Sequence, residues 1–341
     1  PSIIRTVSNG RFYTLVGCQV SGSVSAGTGT GIVVPTYVVF GTSETNFEKI
    51  HAMRSNIPGL SPWSGVSSLS LSFGDGSSKK TEVIAEPRNE IMIDESVGLK
   101  LRPDYSVRTS LKRDEVTARQ MVSIETRADE LQGWTWHLFY HRSLLNLLTI
   151  SDWVPRTFTN LEVLRNEDSY ESDRKKREVW HPVLSYMPRV DRSHFENPES
   201  QYLFRFSDIR EEGIRKWLEL VDRCQQGMTL LAYVAKEQEH LALETLNMLA
   251  GTILDCIGWY VVETKNQTER MIRNSKTGEI RSAGFYQMLE AVQEELGDVF
   301  PFTDPEDWRR NMRKAFVGNK HGDAEGVDFQ TMYDVTMQSL V

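Results

Sequence analysis

Short runs of β-branched and aromatic residues, separated by glycine, serine and proline clusters, fill the first part of the chain and predict strands. Gly10-Arg11-Phe12-Tyr13-Thr14-Leu15-Val16, Ile32-Val33-Val34, Tyr37-Val38-Val39-Phe40, Leu69-Ser70-Leu71-Ser72-Phe73 and Val83-Ile84-Ala85 are the clearest of these. The polar, glycine-rich stretches Ser21 to Gly31 and Gly74-Asp75-Gly76-Ser77-Ser78 read as the loops between them. Near residue 137 the period changes: His137-Leu138-Phe139-Tyr140 leads into Leu144-Leu145-Asn146-Leu147-Leu148-Thr149-Ile150, which suits a buried helix. Strand-like sequence returns from Val179 to Tyr186, and Tyr202-Leu203-Phe204-Arg205-Phe206 precedes Ser207-Asp208-Ile209, where a polar side chain can cap a helix.

From about Asp208 onward the pattern is helical. Ile214, Trp217, Leu218 and Val221 fall at helical spacing, Gly227 interrupts, and a periodic segment from Leu241 to Val262 predicts a central helix. Asn266 to Gly284 is polar, with a turn at Lys276-Thr277-Gly278-Glu279, and Phe285 to Leu296 restarts a helix. Thr303-Asp304-Pro305-Glu306-Asp307 carries a capping residue, a proline and first-turn acids, so a last well-marked helix bearing Trp308, Met312, Ala315 and Phe316 begins there. The prediction is an α+β protein: a β-rich, sandwich or barrel-like region to about residue 205, bridging helices to 236, and an all-α bundle over 237–341.

Composition narrows the class. At 341 residues the chain is long enough for two domains, and no run of about 18 apolar residues or signal-peptide start appears, so a cytoplasmic protein without a membrane partner is expected. Three widely spaced cysteines, Cys18, Cys224 and Cys256, form neither a disulfide framework nor a zinc knuckle and read as core thiols. A net charge of −8 argues against general coating of nucleic acid and leaves room for a local patch. Arg174-Lys175-Lys176-Arg177 is the densest basic run, but Glu167, Asp168, Glu171 and Asp173 nearly neutralise it, giving a solvated loop.

Several motifs fail their context. Gly27-Thr28-Gly29-Thr30-Gly31 lacks the lysine and following helix of a phosphate cradle. His137 and His141, four apart, share a helical face that could hold a metal; without a glutamate between them or an acid nearby in sequence, packing is the better reading, and no metal or cofactor is expected. The string from Arg309 to Asp323 carries more chemistry. It sets Arg309, Arg310, Arg313, Lys314 and Lys320 with His321 at a helix terminus. The macrodipole alone favours cations there. Alternatively, an exposed histidine exchanges protons near neutral pH while a neighbouring cation binds phosphate. Those are the needs of a metal-free RNA-cleaving site: moving the proton of the ribose 2′-hydroxyl or the leaving oxygen, and stabilising charge at phosphorus.

Tyr37-Val38-Val39-Phe40-Gly41, Leu60-Ser61-Pro62-Trp63-Ser64-Gly65, Leu144 to Thr149, Leu203 to Ile209 and Trp217-Leu218-Glu219-Leu220 resemble, in order, the amino-terminal domain of the ApeA family. The helices from Leu241 to His321-Gly322 look like the HEPN domain that follows it there. The resemblance implies a bacterial anti-phage protein acting by abortive infection: a metal-independent HEPN endoribonuclease, working as a homodimer or higher homo-oligomer on an RNA such as transfer RNA, with a phage-derived trigger sensed by the amino-terminal domain. It casts His321 as catalytic histidine, Arg313 or Lys314 as phosphate ligand, Asp255 as supporting acid with Glu244 a weaker candidate, and Arg309, Arg310, Asn319 and Lys320 as RNA contacts. It also implies a further helix beyond His321, for which the chain leaves little length. The alternatives are an inactive HEPN protein that binds RNA or a phage protein, and a toxin neutralised by a partner.

The spacing departs from the HEPN pattern of an arginine a few residues ahead of the histidine. Lys314 stands seven positions before His321 and Arg313 eight. At about 100° per residue, seven positions return to nearly the same helical face and eight drift by about 80°. Geometry favours Lys314 on a regular helix, whereas a helix ended by Gly318 would swing His321 towards Arg313.

Overall fold

In the computed structural model the described residues are 3–25, 28–41, 46–73, 81–86, 89–110, 115–172, 175–185, 202–265, 272–273, 277, 280–281, 284–297, 304–321 and 327–340. The chain divides into two compact units, 1–152 with 156–215, and 153–155 with 216–341. The α+β organisation follows this division: strands and one long helix in the first unit, helices in the second.

The first unit contains β1 (Ile3–Ser8), β2 (Arg11–Val16), β3 (Gln19–Ser25), β4 (Thr28–Val34), β5 (Tyr37–Gly41), β6 (Lys49–Asn56), the short α1 (Leu60–Ser64), β7 (Leu69–Phe73), β8 (Thr81–Ala85), β9 (Ile91–Asp94), β10 (Leu99–Ser110), β11 (Glu115–Gly133), α2 (Trp134–Asp152), β12 (Asn160–Leu164), β13 (Tyr170–Ser172), β14 (Lys175–Arg177) and β15 (Trp180–Ser185). Nine strands form one antiparallel sheet in the order β1-β2-β5-β15-β12-β6-β11-β10-β9. No ladder joins β1 to β9 among the described residues. Its core face takes α2: Trp134 and Leu138 pack with Val39, Phe47, Ile50, Met53, Val163 and Val183. Trp134 stacks on Tyr37 at 4.9 Å and donates its indole N–H to the Phe47 carbonyl at 2.7 Å.

Two expected loops are paired. Ser21 to Gly31 lies mostly in the hairpin β3–β4, whose register runs from Gln19↔Val34 to Ser25↔Thr28. Serine, glycine and threonine give no apolar alternation there, so the ladder leaves no hydrophobic trace. Lys175 to Arg177 likewise pairs with β13, while Arg174 and Gly74 to Ser78 lie outside the described residues.

The division into units falls within α3 (Phe206–Arg223), ahead of the boundary expected at 236. Asp208 Oδ2 accepts from the Arg205 N–H at the start of α3 (2.7 Å), and Arg210 breaks the helix at φ +51°. The second unit continues with α4 (Gln225–Glu237), α5 (Leu243–Thr264), the minimal hairpin β16–β17 (Ile272–Arg273, Ile280–Arg281), α6 (Phe285–Leu296), α7 (Pro305–His321) and α8 (Phe329–Leu340). α4, α6, α7 and α8 all pack on α5. Length and composition would let α5 cross a membrane, but half of that stretch is buried in this bundle. Small residues let its neighbours approach: a Cβ on Gly251 would lie 2.1 Å from the Phe316 ring, and one on Gly258 2.6 Å from Met288 Cβ. Beyond His321 the chain forms a further helix, α8.

Candidate functional site

α7 is built by its sequence. Asp304 Oδ1 accepts from the N–H groups of Glu306 (2.9 Å) and Asp307 (3.2 Å), Pro305 opens the first turn, and Lys320 and His321 close the last. Trp308, Met312, Ala315 and Phe316 form its buried face. A buried amide relay fixes its rotation: Asn319 Nδ2 donates to Asn247 Oδ1 at 2.9 Å, and Asn247 Nδ2 donates to Thr336 Oγ1 at 2.9 Å. Asn247 and Thr336 are both fully buried, so the relay ties α5, α7 and α8 together at high cost of disruption.

The opposite face of α7 carries Arg310, Arg313, Lys314 and His321, all exposed. The helix runs unbroken through Gly318 to His321, so Lys314 and His321 lie on one stripe, while Arg313 is turned about 80° from His321. Arg313, Lys314 and His321 make no hydrogen bond or ion pair with any described residue, and Arg310 pairs with Asp307 one turn back.

The remaining candidates separate. Asp255 on α5 is half-buried; burial raises its carboxyl above its ordinary value, and the charge of Lys320 pulls it partly back. Lys320 itself is exposed, its ammonium 5.8 Å from the Phe316 ring. Arg309 is turned inward: it donates to Gln293 Oε1 and lies 5.4 Å over Tyr286 on α6. Its guanidinium holds two helices together, and the side chain of Asn319 is committed to the relay. Glu244 is exposed in the first turn of α5.

The first unit uses the same residue types differently. His137 and His141 are fully buried and joined through hydroxyls. Thr126 Oγ1 lies 2.8 Å from His137 Nδ1 and 3.0 Å from His141 Nε2, and Ser55 Oγ lies 2.6 Å from His141 Nδ1. The Ile50 carbonyl, 3.3 Å from His137 Nε2, can only accept. That nitrogen therefore donates, Thr126 donates to His137 Nδ1 and accepts from His141, and Ser55 donates to His141. Both rings are neutral in this chain. Burial lowers His137 to about 4, and burial together with His137 lowers His141 to about 3. Their four-residue spacing serves packing, and no cluster of three or more His, Cys, Asp or Glu side chains suited to a metal occurs among the described residues.

On the other side of the sheet, Glu125 is fully buried within a ring of cations: Arg54 at 2.7 Å, Arg127 at 3.2 Å, Lys100 at 3.3 Å and Arg102 at 3.6 Å. Burial would raise its carboxyl, but hydrogen bonding and charge from Arg54, with Lys100 and Arg127, hold it at about 2. Glu90 and Glu178 close the ring from outside, and Arg54 lies 3.8 Å over Trp180. This cluster escaped the sequence reading. Its trace is the alternation Lys100-x-Arg102 and Glu125-x-Arg127 on paired strands, which sets all four on one face. Of the thiols, Cys224 is buried and pushed up to about 11 by burial, whereas Cys18 and Cys256 are only partly buried.

Compared with known proteins, the chain matches the family model described as ApeA N-terminal domain 1 over residues 1–217. No curated protein and no solved structure matches it.

Proposed function

Because the chain belongs to the ApeA N-terminal domain 1 family, a family of anti-phage defence proteins, we propose that its helical unit is a metal-independent HEPN-type endoribonuclease that aborts infection by cutting RNA such as transfer RNA in the cytoplasm. The observation that carries this reading is the outer face of α7, where Lys314 and His321 share a stripe and neither has a partner among the described residues.

Attack of a ribose 2′-oxygen on the adjacent phosphorus requires one proton to leave the 2′-hydroxyl and one to reach the departing 5′-oxygen. An exposed imidazole performs either transfer near neutral pH. Lys314, with Arg313 on its flank, supplies positive charge for the phosphate, and Asp255 with Lys320 borders the same end of α7. One histidine per chain performs one transfer at a time, so a homodimer that apposes two α7 helices supplies both. In this reading the sheet unit responds to a phage-derived trigger.

A second reading has its own support: lysine stands in line with His321 where guanidinium would grip phosphate in a planar fork. An inactive protein that binds RNA or a phage protein would tolerate that exchange. Incubating the full chain with total cellular RNA in EDTA separates the two. Cleavage is expected, abolished by His321→Ala and reduced more by Lys314→Ala than by Arg313→Ala. Binding without cleavage, even in phage-infected extract, would establish the second reading.

A further inference from the structure

We infer that Phe329 and Tyr333 on α8 form a stacking platform for unpaired RNA bases whose phosphates follow α7; this rests on the RNA reading above and goes beyond it by assigning the contacts that hold the bases.

α8 buries Val335, Thr336 and Leu340, yet leaves Phe329 66% and Tyr333 46% exposed. Four positions apart, these rings share one helical face. Neither touches another described aromatic ring or cation, and the Tyr333 hydroxyl has no partner among the described residues. Two large, exposed, adjacent rings need an occupant more than an isolated surface aromatic does.

The packing sets them at the right end of the unit. Trp308 Nε1 donates to Ser339 Oγ at 3.1 Å, and Asn319 Nδ2 lies 3.3 Å from Met332 Sδ, so α7 and α8 run antiparallel. His321 is two residues past Asn319 and Phe329 three before Met332. With neighbouring helix axes 8–10 Å apart, the two side chains lie within about 15 Å, a span for a few nucleotides.

Charge assigns the two helices different parts of the ligand. The outer face of α7 offers Arg313, Lys314 and His321, with Lys320 beside it. α8 carries exposed acids instead: Asp328, held below its ordinary carboxylate value by the Thr331 hydroxyl and N–H, and Asp334, which accepts from Gln330. Phosphates are therefore drawn to α7 and repelled from α8, while uncharged bases can reach the rings. Stacking on aromatic faces tolerates any base and excludes those already paired in a duplex.

The test measures anisotropy of fluorescein-labelled oligoadenylate with the full chain carrying His321→Ala, in EDTA, so that the probe stays intact. Phe329→Ala and Tyr333→Ala are each expected to weaken binding about tenfold, with Phe329→Leu behaving like the alanine variant and Phe329→Trp and Tyr333→Phe retaining affinity. Duplex RNA of the same length should bind all of these proteins alike. Because both positions are exposed, the substitutions leave the fold intact, which thermal melts of the same samples verify. Unchanged oligoadenylate affinity in both alanine variants, while Lys314→Ala weakens it, would overturn the platform and leave the RNA reading standing. No RNA binding by the parent overturns both. Loss of self-association in the alanine variants, with equal loss for single-stranded and duplex RNA, would make this face a protein interface and overturn the platform.

Discussion

His137 and His141 in the sheet unit and His321 in the helical unit are the same side chain under opposite conditions. The first two are sealed between α2 and the sheet, every ring nitrogen faces a fixed partner, and burial holds both neutral. His321 lies on an exposed face with no partner among the described residues. The cations divide in the same way. Arg54, Lys100 and Arg127 are committed to buried Glu125, whereas Lys314 and Arg313 are committed to nothing described. A polar group whose hydrogen-bonding capacity is used inside the fold contributes to stability. One held in place by its helix but left unpaired can act on a ligand.

The contrast can be broken most forcefully at Glu125. Glu125→Ala removes the buried carboxylate that four cations share, leaving Arg54 paired only with the more distant Glu162 at 4.0 Å among the described residues, and should destabilise the sheet unit by about 3–5 kcal/mol, read as a large drop in the denaturant midpoint. Acid tests the buried histidines next. Their folded pKa values lie below the unfolded value, so the unfolded chain binds protons first as pH falls. The stability they contribute is complete above about 6.5 and is lost progressively towards about 4 for His137 and about 3 for His141. The shifts correspond to about 3 kcal/mol for His137 and about 5 kcal/mol for His141. Glu125, also depressed, loses its contribution in a lower window, from 4.5 towards about 2. Protection factors of β6 and β11 amides, corrected for the slower intrinsic exchange in acid, should therefore fall between pH 6.5 and 4.5, above the window in which Glu125 titrates. A third change, Gly251→Ala, forces a Cβ against Phe316 and should cost about 1–3 kcal/mol, visible as a lower thermal midpoint. The smallest effect is expected on the α7 surface: Arg313→Ala and Lys314→Ala should each shift stability by less than about 0.5 kcal/mol, whatever they do to RNA.

How much of this was legible depended on whether a residue's role was local. The strands at Tyr37 to Phe40 and Leu69 to Phe73, the α2 helix, and the Asp304 cap followed from period and capping residues alone. The β3–β4 hairpin did not, because its side chains carry no apolar alternation and only its backbone ladder defines it. The helix beginning at Phe329 was expected from the family resemblance alone and not from its own period, since exposed aromatics at its start blur the boundary between its buried and solvent faces. At the candidate site, the sequence marked the helix that became α7 but could not sort its cations. Arg309, Arg310 and Lys314 are chemically similar in a string; packing turns the first towards Tyr286, pairs the second with Asp307, and leaves the third open. Asn319 read as an RNA contact, and only its hydrogen bond to Asn247 in α5 shows that its side chain belongs to the buried relay.

The most direct test compares His321→Ala with His141→Ala, measuring RNA cleavage in EDTA and the thermal midpoint on the same preparations. Removing His321 should lower the cleavage rate by about 10²–10⁴-fold and leave the midpoint unchanged, while removing His141 should lower the midpoint and spare the rate per folded molecule. Cleavage at the parental rate by the His321 variant would contradict the account.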